Sequence, residues 1–140
     1  MKIISYLNFN GNAEEALNFY QQVFGGQTSV MHFSEMPADP ETPVSPQWAG
    51  KLMHGSLEME DGQYLYLSDS FEGSQVRFGD SITVHLEFDS EDALRRTFGQ
   101  LSEGATITMP VEKVFWGAIY GSLVDKFGIP WGLHYELPAE

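Results

Sequence analysis

Histidine and glutamate occur two residues apart at two places in the second half of the chain, as His85 with Glu87 and as His134 with Glu136. Both pairs fall in segments that are predicted to be strands, where residues two apart share one face of the sheet. Imidazole nitrogen and carboxylate oxygen together are typical ligands of Zn, Fe, Mn or Ni. One hypothesis is therefore a divalent-metal site formed by His85, Glu87, His134 and Glu136.

The first half of the chain lacks matching ligands. Its predicted opening strand offers Tyr6 and Asn8, and its closing strand offers Tyr64, Tyr66 and Ser68. None of these is a strong metal ligand. In the second half, two residues that share a strand face stand about 6.5 Å apart, so each histidine–glutamate pair would have to lean together to reach one ion. We therefore expect no stoichiometric metal and no other cofactor, and imidazoles that form hydrogen bonds with neighbouring carboxylates.

Two further residues are candidates for the lining of a binding site. His54 shares a strand face with Ser56 and Glu58. We interpret it as a hydrogen-bonded or pocket-lining residue rather than as a catalytic base, which would need a perturbed pKa and a substrate proton within reach. Trp116 lies after Pro110 in a stretch that is predicted to be irregular. Its ring either stacks on a planar ligand or fills a gap between the two halves.

The composition excludes several classes of function. Cysteine is absent, which rules out disulfides, thiolate metal sites and thiol nucleophiles, and no Gly-x-Ser-x-Gly motif marks an activated serine. Lys and Arg total 7 against 20 Asp and Glu, a formal charge of −13, which argues against nucleic acid and anionic membranes as partners.

The N-terminus lacks the apolar run of a signal peptide, and no stretch approaches the ~18 apolar residues of a membrane span. We expect a cytoplasmic protein.

The elements that must position these residues occur in the same order twice. The first helix is predicted from a capping box formed by Asn12 and Glu15, and the second begins at Ser90 with acidic residues in its first turn. The predicted strands cover 2–9, 27–33, 51–60 and 63–69 in the first half, and 81–89, 105–109, 118–124 and 130–137 in the second. The two strands that carry the histidine–glutamate pairs are expected to be central in their half. Asp125 is expected to close the turn before the last strand with a side-chain hydrogen bond.

This order is β-α-β-β-β twice, and Glu15-Ala16-Leu17 in the first helix corresponds to Asp92-Ala93-Leu94 in the second. A duplicated half-domain explains the pattern, because one such sheet cannot cover its own apolar face. The predicted fold class is α+β. We expect a single domain over residues 1–140, formed by module one, about 1–70, and module two, about 80–137.

Three groups of residues form motifs that together span nearly the whole chain. They are residues 6–16 with Phe24-Gly25-Gly26; Met53-His54-Gly55 with Ser68-Asp69; and Met109-Pro110, Phe115-Trp116-Gly117, Tyr120-Gly121 and Asp125–Trp131. In this combination the chain resembles the PhnB-like branch of the vicinal-oxygen-chelate superfamily, which contains glyoxalases, bleomycin-resistance proteins and dioxygenases. The resemblance implies two modules whose mixed sheet curves around a cleft, commonly a homodimer, and it implies no specific activity.

In the metal-dependent members of that superfamily, the ligands come from the first and last strands of each half. The corresponding positions in this chain fall nearer Thr83 and Gly132 than the histidines. The resemblance therefore supports the choice of strands for a metal site more than it supports the residues on them.

The leading prediction is a protein that binds a small, partly aromatic molecule in the cleft. The residues predicted to line the site are Tyr6, Asn8, His54, Tyr66, His85, Trp116 and His134. One alternative is a divalent-metal-dependent lyase, isomerase or dioxygenase of the glyoxalase type. The other is a dimeric interaction protein without catalysis.

Overall fold

The computed structural model describes residues 1–139, which contain eight strands, two α-helices and a short 3-10 turn at Phe33–Glu35. The elements in chain order are β1 Ser5–Phe9, α1 Ala13–Phe24, β2 Gln27–His32, β3 Leu52–Glu58, β4 Tyr64–Asp69, β5 Val84–Glu87, α2 Glu91–Leu101, β6 Thr106–Val114, β7 Ala118–Val124 and β8 Pro130–Glu136. They divide into a first unit, Met1–Arg77, and a second unit that begins at Phe78. Within residues 1–139, neither helix has the length and apolar character needed to cross a membrane.

Each unit contains one four-stranded mixed sheet with one helix. The strand order is β1-β4-β3-β2 in the first unit and β5-β8-β7-β6 in the second. In both sheets the first pair of this order is parallel and the other two pairs are antiparallel. The predicted α+β class and the repeated β-α-β-β-β order are confirmed.

A glycine at the middle of the third strand lets each helix approach its sheet. A Cβ atom at Gly55 in β3 would lie 3.1 Å from Leu17 Cδ2 of α1 and 2.7 Å from Leu52 Cδ2. Gly121 occupies the same place in β7, where a Cβ atom would lie 2.9 Å from Phe98 Cε2 of α2. An added Cβ atom would therefore press on the facing helix side chain at both positions, so glycine permits the present helix-to-sheet distance.

The two helices begin differently. The predicted capping box is wrong, because the Asn12 side chain makes no capping hydrogen bond. The carboxylate of Asp69, at the end of β4, replaces it: Oδ1 accepts from the backbone N–H groups of Gly11 at 2.7 Å and Ala13 at 3.0 Å. Its other oxygen accepts from the backbone N–H of Leu52 at 2.9 Å. Helix α2 has a local cap instead, since Ser90 Oγ accepts from the backbone N–H of Ala93 at 3.1 Å.

The turn between β7 and β8 is organised by Asp125, as the sequence predicted. Its Oδ1 accepts from the backbone N–H groups of Phe127 and Ile129, and its Oδ2 accepts from the indole N–H of Trp131 at 2.8 Å. Asp125 is buried and Trp131 is fully buried in the core of the second unit. The carboxylate therefore stabilises both the turn and the position of the Trp131 side chain.

Three strand predictions in the second unit are corrected. Strand β5 covers four residues rather than nine, and Ile82, which lies in the predicted strand but before β5, is 78% exposed. β5 is also an edge strand of its sheet and not a central one. Strand β6 extends through Pro110 to Val114, so Trp116 lies in the hairpin turn to β7 and not in an irregular stretch. Pro110 is tolerated because β6 is an edge strand whose register shifts there, so that no ladder N–H is needed.

Candidate functional site

The strand register of the second unit brings polar side chains together on one face of its sheet. His85 of β5 stands beside Gly132 of β8, and Glu87 stands beside His134. Across the next pair of strands, His134 stands beside Tyr120 of β7. We call these five residues, together with Trp116 from the β6–β7 turn, the second-unit polar face.

Four of these side chains form a continuous chain of hydrogen bonds. His85 Nε2 lies 2.6 Å from Glu87 Oε1, and His134 Nδ1 lies 3.0 Å from Glu87 Oε2. The indole N–H of Trp116 donates to His134 Nε2 at 3.3 Å. The carboxylate of Glu87 therefore joins two imidazoles, and the second imidazole holds the indole.

The donors along this chain follow from the indole, which can only donate. Because Trp116 donates to Nε2 of His134, that nitrogen accepts and Nδ1 carries the hydrogen that is donated to Glu87. The remaining oxygen of Glu87 accepts from Nε2–H of His85, so Nδ1 of a neutral His85 is left with a free lone pair. The hydrogen bonds from His85 and then from His134 hold the pKa of Glu87 below its ordinary value.

An aromatic surface adjoins this chain. The Trp116 side chain is 53% exposed, and its ring packs edge-on against Phe115 at a centroid distance of 5.1 Å. The ring of Tyr120 lies 6.4 Å from Trp116 and 6.3 Å from His134. An exposed indole that is fixed by its own N–H group offers a flat, oriented surface for another ring.

The hydroxyl group of Tyr120 covers Gly132, next to His85. A Cβ atom at Gly132 would lie 3.0 Å from Tyr120 Oη, 3.5 Å from Thr83 Cγ2 and 3.6 Å from His85 Nδ1. Glycine at this position therefore lets the Tyr120 hydroxyl lie against the strand, near His85.

The first unit carries its own polar face, which consists of Tyr6, Asn8, His54 and Tyr66. Tyr6 Oη lies 3.2 Å from His54 Nδ1, and the ring of Tyr66 packs edge-on against both side chains at 6.0 and 5.1 Å. Asn8 shares the strand face of Tyr6 and pairs with Ser68. No carboxylate is hydrogen-bonded to His54 in the part of the chain that the structure describes, residues 1–139.

All seven residues predicted to line a site therefore lie on one of the two polar faces. Tyr6, His54 and Tyr66 are in mutual contact in the first unit, with Asn8 on the same face. His85 and His134 are linked through Glu87, and Trp116 contacts His134 in the second unit.

Of the four possible metal ligands, three are close together. Ligand atoms of His85, Glu87 and His134 all lie within 4.8 Å of one another. Glu136 does not join this group among residues 1–139, because β5 ends at Glu87, opposite His134, and has no residue beside Glu136. The predicted imidazole–carboxylate hydrogen bonds are present.

Sequence reasoning missed Tyr120. Alternation along 118–124 would have placed Tyr120 on one face with Ser122, and the antiparallel register then sets Tyr120 opposite His134. The close approach of the Tyr120 hydroxyl to Gly132 had no such signal, because it exists only once the neighbouring strands are paired.

A cavity of about 500 Å³ in the first unit has none of the polar-face residues in its lining. It is lined mainly by apolar residues of the proline-rich segment, namely Phe33, Met36, Pro37, Pro40, Pro43 and Val44. Its lining contains no imidazole and no aromatic hydroxyl group. The hydrogen-bonding groups that can orient a ligand are concentrated on the polar faces instead.

Comparison with known proteins identifies relatives of the whole chain. The protein YjdN of Escherichia coli strain K12 is 25% identical over 138 residues, which cover 94% of this chain and 92% of YjdN. The crystal structure of protein PA1353 from Pseudomonas aeruginosa is 30% identical, covers 99% of both chains and has a TM-score of 0.85. The PhnB protein from Bacillus cereus is 27% identical, covers 96% of this chain and 99% of its own, and has a TM-score of 0.74.

More distant structures share the fold. A glyoxalase/bleomycin resistance protein/dioxygenase family enzyme from Burkholderia phytofirmans PsJN is 18% identical over 95% of this chain and 98% of its own, with a TM-score of 0.61. A family model described as 3-demethylubiquinone-9 3-methyltransferase matches residues 1–134. The chain therefore belongs to this family, the PhnB-like branch of the glyoxalase/bleomycin resistance/dioxygenase superfamily.

Proposed function

We propose that the protein binds a small, partly aromatic molecule, and that the second-unit polar face is the principal site. The observation that carries this proposal is the exposed ring of Trp116, which is oriented by its hydrogen bond to His134. A ring fixed in this way loses little conformational freedom when a ligand stacks on it. The net charge of −13 favours neutral or cationic ligands over anionic ones.

Methyl transfer, the reaction in the family's description, is not part of the proposal. A nucleotide-like methyl donor is commonly held by a glycine-rich turn between a strand and a helix. The connection between β1 and α1 is Asn10-Gly11-Asn12, and its amide groups at Gly11 and Ala13 are already bound by Asp69. The connection before α2 contains no glycine.

The test is binding by protein purified from its own host. Native mass spectrometry of that material reports the chain mass, the oligomeric state and any retained ligand together. For a ligand found in this way, we expect Trp116→Ala to weaken binding without unfolding the protein. Phe71→Ala is the matched control, because Phe71 is an exposed aromatic residue outside both polar faces that lines, with Trp48, a second and smaller pocket of the first unit. A loss of binding in Phe71→Ala alone would move the site to that smaller pocket.

A divalent-metal enzyme is the second candidate, and the cluster of His85, Glu87 and His134 is the observation that favours it. The residue types fit Zn, Fe, Mn or Ni, but the hydrogen bonds compete with a metal. If His134 bound an ion through Nδ1, its Nε2 would carry a hydrogen that faces the Trp116 N–H group, and if it bound through Nε2, the indole would stand in the way.

The cluster of His85, Glu87 and His134 can therefore bind a metal only if Trp116 moves. We expect purified protein to contain no stoichiometric transition metal by elemental analysis. About one Zn, Mn, Ni or Fe per chain that is lost in His134→Ala would instead establish the metal enzyme.

Assembly into a homodimer is a separate part of the proposal, consistent with an interaction role. The edge strands β2 and β6 carry exposed apolar side chains, with Val30 and Met31 on the first and Ile107 and Met109 on the second. Exposed edges with apolar residues are commonly covered by another chain. Light scattering should give twice the chain mass of 15.7 kDa at micromolar concentration, and a monomer mass would exclude the dimer.

A further inference from the structure

The proline-rich segment of the first unit, residues 34–50, forms a long loop whose base is closed by hydrogen bonds. The backbone N–H groups of Phe33 and Ser34 donate to the carbonyl groups of Lys51 at 3.0 Å and Ala49 at 2.9 Å. Loops of this length without strands or helices of their own are uncommon in compact domains, and many of them are functional. The loop is therefore a candidate for a site that is distinct from the two polar faces.

Two hollows lie against this loop. The larger is the cavity of about 500 Å³ in the first unit, and the smaller pocket has a volume of about 270 Å³. The residues that line both hollows are Phe33, Met36, Thr42, Pro43 and Val44. Because the hollows share these walls, they adjoin each other.

The larger cavity offers mainly apolar contact. Its other lining residues include Pro37, Ala38 and Pro40, and it contains one carboxylate, that of Asp39. This carboxylate is engaged within the loop, since its oxygens accept from the backbone N–H of Glu41 at 2.9 Å and from the hydroxyl group of Thr42 at 3.2 Å. The larger cavity is therefore suited to an alkyl chain or a small ring.

The smaller pocket combines aromatic rings with carboxylates. Its lining contains the rings of Phe33, Trp48 and Phe71, together with the carboxylates of Glu41 and Glu72. The ring of Phe71 is exposed and packs edge-on against Phe33 at a centroid distance of 5.6 Å. Aromatic faces and carboxylates both attract an organic cation.

The charges around the smaller pocket also favour a cation. The backbone N–H of Ser45 donates to Glu72 at 2.9 Å, and this hydrogen bond lowers the pKa of Glu72, so its carboxylate is ionised at neutral pH. In the described part of the chain, residues 1–139, neither lining contains Lys, Arg or His. Lys51 lies outside both linings, donates to the carbonyl of Gly11, and places its ammonium group 6.0 Å from the ring centroid of Trp48. That ring therefore already meets one ammonium group in the folded chain.

We propose that the two hollows form a second ligand site, independent of the proposed site at Trp116, for a small amphipathic amine. The ammonium group lies in the smaller pocket, against its aromatic rings and the carboxylates of Glu41 and Glu72. The apolar chain extends into the larger cavity. The chain gives contact area and the charge gives selectivity, because the same carboxylates repel an anion of similar size.

NMR spectroscopy of ¹⁵N-labelled protein with three probes tests this site. The probes are hexylamine, 1-hexanol and hexanoate, which have the same number of carbon atoms and are cationic, neutral and anionic at neutral pH. We expect hexylamine to shift amide signals of residues 33–51 and 70–72 and to bind about fivefold more tightly than 1-hexanol. Hexanoate should bind most weakly. Equal affinity for hexylamine and 1-hexanol would overturn the inference.

Paired variants separate a local site from the general attraction of a chain with a charge of −13. Glu41→Gln combined with Glu72→Gln should weaken hexylamine about fivefold and leave 1-hexanol unchanged. Glutamine at position 72 keeps an oxygen that can accept from Ser45, so the loop should persist. The matched control, Glu60→Gln combined with Glu112→Gln, removes the same charge from exposed residues outside both linings. An equal loss of affinity in both double variants would show diffuse attraction and overturn the site.

Phe71→Leu tests the aromatic part of the smaller pocket. It removes the ring but keeps an apolar side chain at an exposed position, so the fold should persist. We expect the affinity for hexylamine to fall about two- to fivefold, and that for 1-hexanol to change less. An unchanged affinity for hexylamine in folded Phe71→Leu would overturn the role of the ring.

The positions of the shifted amide signals distinguish this inference from the proposed function. Shifts confined to Trp116, Tyr120 and His134 would place the amine on the second-unit polar face and overturn the second site. If hexylamine does not bind folded protein at millimolar concentration, the second site is wrong, whereas the proposed site at Trp116 is tested separately by the ligand retained from the host.

Discussion

The sheets of the two units have the same strand order but present different chemistry on their polar faces. By register, Tyr6 beside Tyr66 in the first unit corresponds to His85 beside Gly132 in the second. Tyr66 carries a ring on the first polar face at the position where the second unit has only Gly132, and there the Tyr120 hydroxyl lies close to the strand.

The next pair along the same strands differs as well. Asn8 and Ser68 in the first unit correspond to Glu87 and His134 in the second. Only the second combination can link imidazoles through a carboxylate. The comparison teaches that strand register decides which side chains meet, while residue type decides whether they form a connected network.

The largest expected effect tests whether the two faces of one sheet have separate roles. Trp131 is fully buried on the core side of the second-unit sheet, whereas Trp116 lies exposed on its polar side. Trp131→Ala should lower the free energy of unfolding by about 3–5 kcal/mol through loss of packing. Trp116→Ala should change it by less than about 0.5 kcal/mol. Urea unfolding followed by circular dichroism measures both, and equal losses would show that Trp116 is a core residue.

A smaller effect concerns the Asp69 carboxylate, which has no counterpart at the end of β8. In Asp69→Asn, an amide group must replace one of the two oxygens, so that a donor faces a backbone N–H group. We expect a loss of about 2–3 kcal/mol in the free energy of unfolding, as for a buried charged hydrogen bond. The control is Asp61→Asn in the exposed β3–β4 turn. Near-neutral behaviour of Asp69→Asn would remove Asp69 as the link between α1 and the sheet.

A still smaller effect sharpens the difference between the helix starts. Ser90→Ala removes the cap of α2 and should cost about 1 kcal/mol. Asn12→Ala occupies the equivalent place before α1 but should be close to neutral, because its side chain makes no capping bond. Thermal unfolding by calorimetry compares the two variants. A cost at Asn12 as large as that at Ser90 would mean that α1 also depends on a local cap.

The smallest effects are pH dependences of opposite sign in the two units. The hydrogen bond to Glu14 is the main cause that raises the pKa of His32 above 6.5, so its stabilisation is complete below that pH and is lost as pH rises through the raised value. The pKa of Glu87 is lowered from 4.5, so its stabilisation is present above that pH and is lost as pH falls through the lowered value.

Paired variants separate the contributions of His32 and Glu87 to the pH dependence of stability. Glu14→Gln should reduce the change in the free energy of unfolding with pH near neutral pH. Glu87→Gln should reduce that change at acid pH. The exposed Glu60→Gln should change neither. Because these groups are partly exposed, the changes should be small and should shrink with added salt. Titration of His32 at or below its ordinary pKa, measured by NMR, would contradict the contact with Glu14.

The sequence was sufficient to predict the repeated order of elements because each helix and strand has its own period of apolar residues. It also placed six of the seven candidate residues, all except Trp116, on strand faces, since alternation needs no tertiary information. It failed where a distant side chain replaced a local one. The cap of α1 comes from Asp69, more than fifty residues along the chain, and a local box at Asn12 and Glu15 was the simpler interpretation.

Individual residues of the candidate site were predictable, but the contacts that connect them were not. Alternation gave His85 and His134 the correct face, but the role of Glu87 as the link between them requires the parallel register of β5 and β8. Likewise, the exclusion of Glu136 follows from the early end of β5, which the alternating run 81–89 concealed. Whether a strand lies at the edge of a sheet depends on the other strands of that sheet, and strand propensity alone does not determine it.

The three tryptophans also give this protein separate optical reporters. In the first unit, the half-buried Trp48 donates to the carbonyl of Ser70. In the second, Trp131 is sealed in the core beside a carboxylate, and Trp116 is open to solvent. A soluble quencher such as acrylamide should reach Trp116 first and Trp131 last. Intrinsic fluorescence can therefore follow ring stacking on Trp116 through the quenchable fraction of the emission, while the protected fraction reports the integrity of the second-unit core.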